Sequence, residues 1–95
     1  MDTFNGCTAL KEVNLPKNLK YIAEFAFEDC TSLETIVIPD TVTSIAYAAF
    51  RGCTSLNLVV PDSVVYIADG AFGYVPHIEY HGTAKGAPWG AKSMN

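Results

Sequence analysis

The sequence predicts a solenoid, a coil of short stacked repeats with a narrow parallel β-sheet along one side. The motif Phe-x-x-Cys-x-x-Leu occurs three times, beginning at Phe4, Phe27 and Phe50, at intervals of 23 residues. Each copy is followed by a short alternating apolar run that ends at proline, which is typical of a strand closed by a turn. Repetition at this period predicts a stacked array in which each repeat forms one rung.

The repeat register also predicts the domain organisation. We assign the array to residues 1–82, with complete units 4–26, 27–49 and 50–71 and a partial unit 72–82, and a C-terminal cap or linker tail to residues 83–95. The third unit is one residue short, because SLNLVVP replaces the SLETIVIP of the second, and a local irregularity is expected in that strand. Solenoid ends need covering, so we expect Trp89 to fold back onto the last rung.

The elements within a unit follow in a fixed order. The strand patterns LKEVNLP, LETIVIP and LNLVVP lead into the turn sequences PKNL, PDTV and PDSV. Proline presets one backbone angle there, and Asp or Asn side chains bond the nearby backbone. The apolar pairs that follow are too closely interrupted for ordinary helices. One unit cannot bury its own apolar edge, so stability is expected to come from stacking.

Composition excludes several classes of protein. The chain is 49% hydrophobic and 17% charged, which excludes disorder. Its net charge is −4 and its six basic residues are scattered, so we expect no nucleic-acid binding and no docking on an anionic membrane. No apolar run reaches the roughly 18 residues of a spanning helix. Because Met1 leads directly into polar residues, we expect a soluble chain without its own export signal.

Three cysteines recur with the repeat, at Cys7, Cys30 and Cys53. Equivalent positions in stacked rungs lie about 4.8 Å apart, but their Cβ bonds would run nearly parallel, which does not suit a disulfide. No histidine or carboxylate recurs with them, so neither metal binding nor catalysis is indicated. We predict a column of buried, reduced thiols, with Cys30 the most buried because it alone has a like rung on each side. The predicted structural residues are Phe4, Cys7, Phe27, Cys30, Phe50, Cys53 and Phe72.

The segment HIEYH suggests an alternative chemistry. On a strand, His77, Glu79 and His81 would share one face, a ligand set that binds Zn²⁺ or Fe²⁺. However, no partner is evident to orient the imidazoles, and Pro76 opposes strand geometry at His77. A solvated last rung is therefore the favoured interpretation, and we expect no metal, no cofactor and no enzymatic activity.

The outward side of the predicted sheet is the best candidate for a recognition surface. Its residues are Lys11, Glu12, Asn14, Glu34, Thr35, Val37, Asn57, Val59 and Glu79. The column of Asn14, Val37 and Val59 is partly apolar and flanked by acids, as in a small contact patch. Equally, exposed β-branched residues simply suit strands, and both interpretations stay open. The first strand has little chain before it, so we also expect self-association through an uncapped N-terminal rung.

The repeated pattern FxxCxxLxxIxIPxxVxxIxxxAF resembles the BspA-like leucine-rich repeat family of bacterial surface proteins. In the second unit it is carried by Phe27, Cys30, Leu33, Ile36, Ile38, Pro39, Val42, Ile45, Ala49 and Phe50. The resemblance implies a right-handed leucine-rich repeat solenoid of about 3.5 repeats, with a short parallel sheet on one side and bridges, turns and 3-10 segments on the other.

The same resemblance implies a function. Similar proteins are adhesive, so the chain would be a non-enzymatic protein-binding module of a larger bacterial surface or secreted protein. It would contact host or matrix proteins such as fibronectin or fibrinogen. No residue motif for this binding transfers to the chain. A different interpretation is a structural spacer, whose rungs extend a larger ectodomain and contact nothing specific.

Overall fold

The computed structural model describes residues 6–95. Seven short strands follow one another along the chain: β1 (Glu12–Asn14), β2 (Tyr21–Ile22), β3 (Thr35–Val37), β4 (Ser44–Ile45), β5 (Asn57–Val59), β6 (Tyr66–Ile67) and β7 (His77–Glu79). Every pairing between them is parallel, and the described part of the chain contains no helix.

The strands form two sides of a solenoid. The odd-numbered strands pair β1 with β3 and β5 with β7, whereas the even-numbered strands form a continuous sheet in the order β2-β4-β6. The first three complete rungs therefore contribute one strand to each side, and β7 begins a fourth. This arrangement confirms the predicted solenoid of stacked parallel rungs.

The parallel sheet of odd-numbered strands is interrupted at one point, between β3 and β5. Leu33 and Ile36 are buried with two residues between them, whereas Leu56 and Leu58 are buried with only Asn57 between them. The shorter rung starts its strand one residue early, and no ladder forms across to β3. The backbone N–H of Asn57 still donates to the carbonyl of Glu34, at 3.4 Å. The irregularity predicted for the third unit is thus confirmed.

Of the bridges, turns and 3-10 segments predicted for the other side, residues 6–95 form the short parallel pairings and the turns but no 3-10 segment. Ala26 N–H donates to the Ala23 carbonyl at 3.2 Å, a bond that a 3-10 helix would also make. The chain does not continue as a helix because Phe25 adopts a left-handed conformation with φ of 59°, as Ala48 does with φ of 56°. Phe27 N–H then donates to the next rung, at Ala49 O, at 2.7 Å.

The core is one apolar cluster that runs through all the rungs. Its central column consists of Phe27, Phe50 and Phe72, whose ring centroids are 5.2 Å apart in the first pair and 6.0 Å in the second. Each large side chain buried in this way contributes roughly 1.5–3 kcal/mol. Phe4, predicted to belong to the same set, lies outside the described residues.

The cysteines form the predicted column of reduced thiols. Cys7 is half-buried, whereas Cys30 and Cys53 are fully buried. The Cys53 thiol donates to the carbonyl of Phe27 at 3.0 Å. Burial raises the pKa of the Cys30 thiol, and it raises the pKa of Cys53 to about 12.

The expectation that Cys30 is the most buried cysteine is therefore wrong. Both inner thiols are inaccessible to solvent, and the larger effect of burial falls on Cys53. The physical reason is how completely the neighbouring rung covers each thiol. On one side of Cys30 lies the incompletely covered rung of Cys7, whereas Phe72 and the C-terminal segment close the stack beyond Cys53.

The C-terminal segment folds back on the last rung, as predicted for Trp89. This side chain is 3% exposed, and its ring centroid lies 6.1 Å from that of Phe72 and 5.5 Å from that of Tyr80. Backbone bonds reinforce the contact, because Phe72 N–H donates to Trp89 O and Tyr80 N–H to Asn95 O, each at 3.0 Å. The division of the chain between residues 82 and 83 stays a prediction.

Candidate protein-interaction surface

The outward side of β1, β3, β5 and β7, here called the sheet face, carries all the residues predicted for recognition. Each of them is exposed: Lys11, Glu12, Asn14, Glu34, Thr35, Val37, Asn57, Val59 and Glu79. Strand geometry explains the exposure of those that lie within the strands, because alternate side chains point to opposite sides and the residues between them enter the core. Lys11 and Glu34 directly precede β1 and β3.

Strand register arranges these side chains in rows. Glu12 lies beside Thr35, and Asn14 lies beside Val37, across the β1–β3 pair. Across the β5–β7 pair, Val59 lies beside Glu79. Partners in adjacent parallel strands are separated by about 4.8 Å, so the side chains in a row can contact one partner together.

The register also adds a residue that the sequence reasoning did not assign to this surface. His77 pairs with Asn57 across β5 and β7, so it lies beside a predicted contact residue. The sequence indicated this residue only as a candidate metal ligand. The signal that could have placed it was the regular alternation of buried Ile78 with its two neighbours.

The centre of the sheet face is apolar. Val37 is 70% exposed and Val59 is 62% exposed, which is high for large apolar side chains. They stand on the two sides of the interruption between β3 and β5, and a groove of about 300 Å³ lies there. Ile36 and Ile38 also line it, and Pro61 completes the lining. The sequence indicated the missing residue but not the groove.

Acidic side chains surround this apolar centre. Glu79 pairs with Val59, and Glu34 directly precedes β3, next to Asn57. Glu12 adds a third carboxylate on β1, against a single ammonium group from Lys11. The sheet face is therefore a small apolar patch with a net negative border.

The alternative metal site is not assembled. His77 Nδ1 is hydrogen-bonded to Ser93 Oγ at 2.6 Å, while His81 Nε2 lies 3.8 Å from the Glu79 carboxylate. Within residues 6–95, no group of three or more histidine, cysteine, aspartate or glutamate side chains is placed to hold a metal ion. The structure therefore does not bring His77, Glu79 and His81 together as a ligand set.

Aromatic residues mark a second exposed surface, on the even-numbered strands. Tyr21 and Tyr66 lie on either side of Ser44 in the register of β2, β4 and β6. Both tyrosines are exposed.

The turns carry a further cluster that the sequence reasoning missed. Arg51 Cζ lies 5.8 Å from the centroid of the Tyr74 ring, and Arg51 Nη1 lies 3.3 Å from Glu28 Oε2. The hydrogen bond to Tyr74 is the main cause that raises the pKa of Arg51. Tyr47 is exposed nearby and packs edge-on against Phe25, at 5.6 Å between centroids. Glu28 and Arg51 hold equivalent positions in successive repeats, and this spacing was the signal for their contact.

An apolar groove of about 470 Å³ lies at the N-terminal end of the described chain. Its lining includes Val13, Leu15 and Leu19, which are only half-buried, and the buried side chain of Phe27. These residues occupy core positions of the first rung. This groove therefore marks the end at which the stack is less completely covered by the described residues.

Fold and surface together define a class of protein, a solenoid of short stacked repeats joined by parallel strands. The model of the family described as BspA type leucine rich repeat region (6 copies) matches residues 1–85. The chain belongs to this family. No curated protein matches the chain.

A solved structure supports the same conclusion. The chain is similar to a leucine-rich repeat protein from Bacteroides ovatus ATCC 8483, with 29% sequence identity and a TM-score of 0.76. The match covers 96% of this chain and 26% of that one. The chain therefore spans about a quarter of the length of this solved relative. Among the described residues, none forms a helix long and apolar enough to cross a bilayer.

Proposed function

We propose that the chain is a non-enzymatic protein-binding module, which uses its sheet face to hold a larger bacterial surface or secreted protein to other proteins. The partners proposed are host or matrix proteins, for which fibronectin and fibrinogen serve as probes. The family to which the chain belongs supports a protein-interaction role.

The exposed Val37 and Val59 at the centre of the sheet face carry this proposal. Scattered exposed apolar residues are normal, but here two stand together on a rigid sheet within a polar border. Interfaces commonly combine an apolar centre with such a border. All nine proposed contact residues are exposed to solvent.

Charge reversal on the sheet face tests the proposal. The variant combines Glu34→Lys, Asn57→Lys and Glu79→Lys, all at exposed positions, so the fold should be retained. Surface plasmon resonance on immobilised fibronectin and fibrinogen measures binding, and circular dichroism checks folding. We expect the variant to lose at least tenfold in affinity. A chain that binds neither protein would support the structural-spacer alternative, whereas equal binding by the variant would reject the sheet face as the binding surface.

Self-association through the N-terminal rung stays a separate prediction. The half-buried Leu15 and Leu19 in the N-terminal groove supply the apolar surface for it. Sedimentation velocity over a range of concentrations should show a dimer that Leu15→Lys abolishes. A monomer at every concentration would contradict this prediction.

A further inference from the structure

We propose that the groove between β3 and β5 seats one large apolar side chain of a protein partner, and that this side chain is flanked in the partner by lysine or arginine. The inference rests on the proposed protein-binding role and assigns it a specific contact point. We call this feature the β3–β5 groove.

The groove exists because the third rung is one residue short. Rungs one and two each place two residues between the apolar position that precedes the strand and the apolar centre of the strand, at Leu10 to Val13 and at Leu33 to Ile36, and their strands pair. The third rung places only one residue there, and no ladder joins β5 to β3. The groove is therefore specific to this junction and is not a general property of the repeat.

The walls of the groove suit an apolar occupant. Val37 and Val59 expose most of their surface there, and Ile36 and Ile38 line it while remaining 6% exposed. A volume of about 300 Å³ accommodates a leucine, methionine or phenylalanine side chain but not a folded element. Covering exposed apolar surface contributes about 25 cal/mol per Å².

The charged residues around the groove determine which residues should flank that side chain in the partner. Glu79 stands beside Val59, and Glu34 stands at the entrance to β3, so carboxylates lie on both sides of the groove. Lys11 lies one rung away from Glu34 and offsets part of the charge. The sheet face keeps a net negative border, which is complementary to a partner segment with basic residues on either side of its apolar anchor.

Selection of peptides tests the proposal without an identified partner. Random dodecapeptides displayed on phage are selected against the immobilised chain, and the best clone is synthesised for titration. We expect enriched peptides with a leucine, methionine or aromatic residue flanked by lysine or arginine. Chemical shift changes in nitrogen-15-labelled protein should centre on Val37 and Val59. Enrichment of acidic peptides, binding elsewhere, or failure to select any peptide would overturn the proposal.

Matched variants separate groove binding from non-specific attraction. Val37→Lys should weaken binding of the selected peptide at least tenfold, whereas Val65→Lys should leave it unchanged. Val65 is 60% exposed and lies beside β6, so it matches Val37 in chemistry and exposure but not in place. Glu79→Gln should weaken binding a fewfold, and this effect should shrink at high salt.

Restoring the missing residue gives an independent test. Insertion of one glutamate between Leu56 and Asn57 returns the third unit to 23 residues and should allow β5 to pair with β3. We expect slower amide exchange at this junction and at least a tenfold loss of peptide affinity. If amide exchange in the insertion variant is slowed at this junction and the peptide still binds with the parent affinity, the groove is not the binding site.

The outcomes also distinguish this inference from the proposed function. Loss of fibronectin or fibrinogen binding on sheet-face charge reversal, without an effect of Val37→Lys, would support the protein-binding role and reject the groove. Peptide binding at the groove by a chain that binds neither fibronectin nor fibrinogen would support the groove and reject the proposed binding of these matrix proteins.

Discussion

The two ends of the stack differ in how they bury the same repeat positions. At the C-terminal end, Phe72 packs against the 3% exposed Trp89, and the backbone of the closing segment bonds to the last rung. At the N-terminal end of the described chain, Val13 and Leu15 are only half-buried and line a groove. Position in the stack, and not residue type, determines how much each apolar residue contributes.

This difference shows how stability is distributed in a short repeat array. A core residue in a middle rung is covered by a rung on each side, whereas the same residue in a terminal rung depends on whatever covers the end. Substitutions at matched positions can therefore measure the value of a neighbouring rung directly.

The largest expected effect is at the C-terminal cap. Trp89→Ala should lower the free energy of unfolding by about 3–5 kcal/mol, because it removes a fully buried ring from between Phe72 and Tyr80. Urea denaturation followed by circular dichroism measures the loss. The exposed Lys92 in the same segment provides the control, since Lys92→Ala should have little effect. A loss below about 1 kcal/mol at Trp89 would mean that the segment does not stabilise the last rung.

The next largest effect on the free energy of unfolding is expected at a matched pair of leucines. Leu33 and Leu10 hold the same repeat position, but Leu33 is 0% exposed and Leu10 is half-buried. Leu33→Ala should cost about 3 kcal/mol and Leu10→Ala about 1 kcal/mol, because little surface is buried at the second site. Urea denaturation of both variants measures the difference. Equal losses would contradict the comparison of the two ends.

The sequence predicted what the repeats share and missed what depends on neighbouring rungs. Phe27, Phe50 and Leu33 recur with the period, so their burial could be derived from stacking alone. The left-handed conformations of Phe25 and Ala48 were missed because neither residue is glycine. The equivalent position of the third unit is Gly70, whose φ is 70°, and this glycine was the signal in the repeat that could have indicated them.

The candidate surface was predicted to a similar extent. The exposed positions within β1, β3, β5 and β7 were predicted by alternation along the strands. The groove was not, because one missing residue shows where a strand becomes irregular but not how far the two halves of the sheet separate. The cluster of Arg51 with Tyr74 was missed because its members occupy different positions in different repeats.

A smaller effect is expected at alkaline pH, where the buried Cys53 thiol should lower the free energy of unfolding. Burial raises the pKa of the Cys53 thiol from 9.0 to about 12. The unfolded chain releases this proton above about pH 9 while the folded chain keeps it, so the free energy of unfolding falls as pH rises between these two values. The part due to Cys53 should be about 1 kcal/mol between pH 8 and pH 10.

Two cysteine variants check this assignment. Denaturation curves of Cys53→Ala should depend less steeply on pH in this range than those of the parent chain. Cys7→Ala, which changes the half-buried cysteine and leaves Cys53 in place, should keep the parent dependence. The same slope in all three proteins would show that other groups cause the loss at high pH.

The smallest effect concerns the polar contacts of the cap. Ser93 Oγ is hydrogen-bonded to His77 Nδ1 at 2.6 Å and donates to the Pro76 carbonyl at 3.1 Å, so it joins the closing segment to the start of β7. Because Ser93 is exposed, water can replace these bonds, and Ser93→Ala should cost only about 0.5–1 kcal/mol in urea denaturation. A loss as large as that of Trp89→Ala would mean that hydrogen bonds, and not apolar burial, hold the cap on the stack.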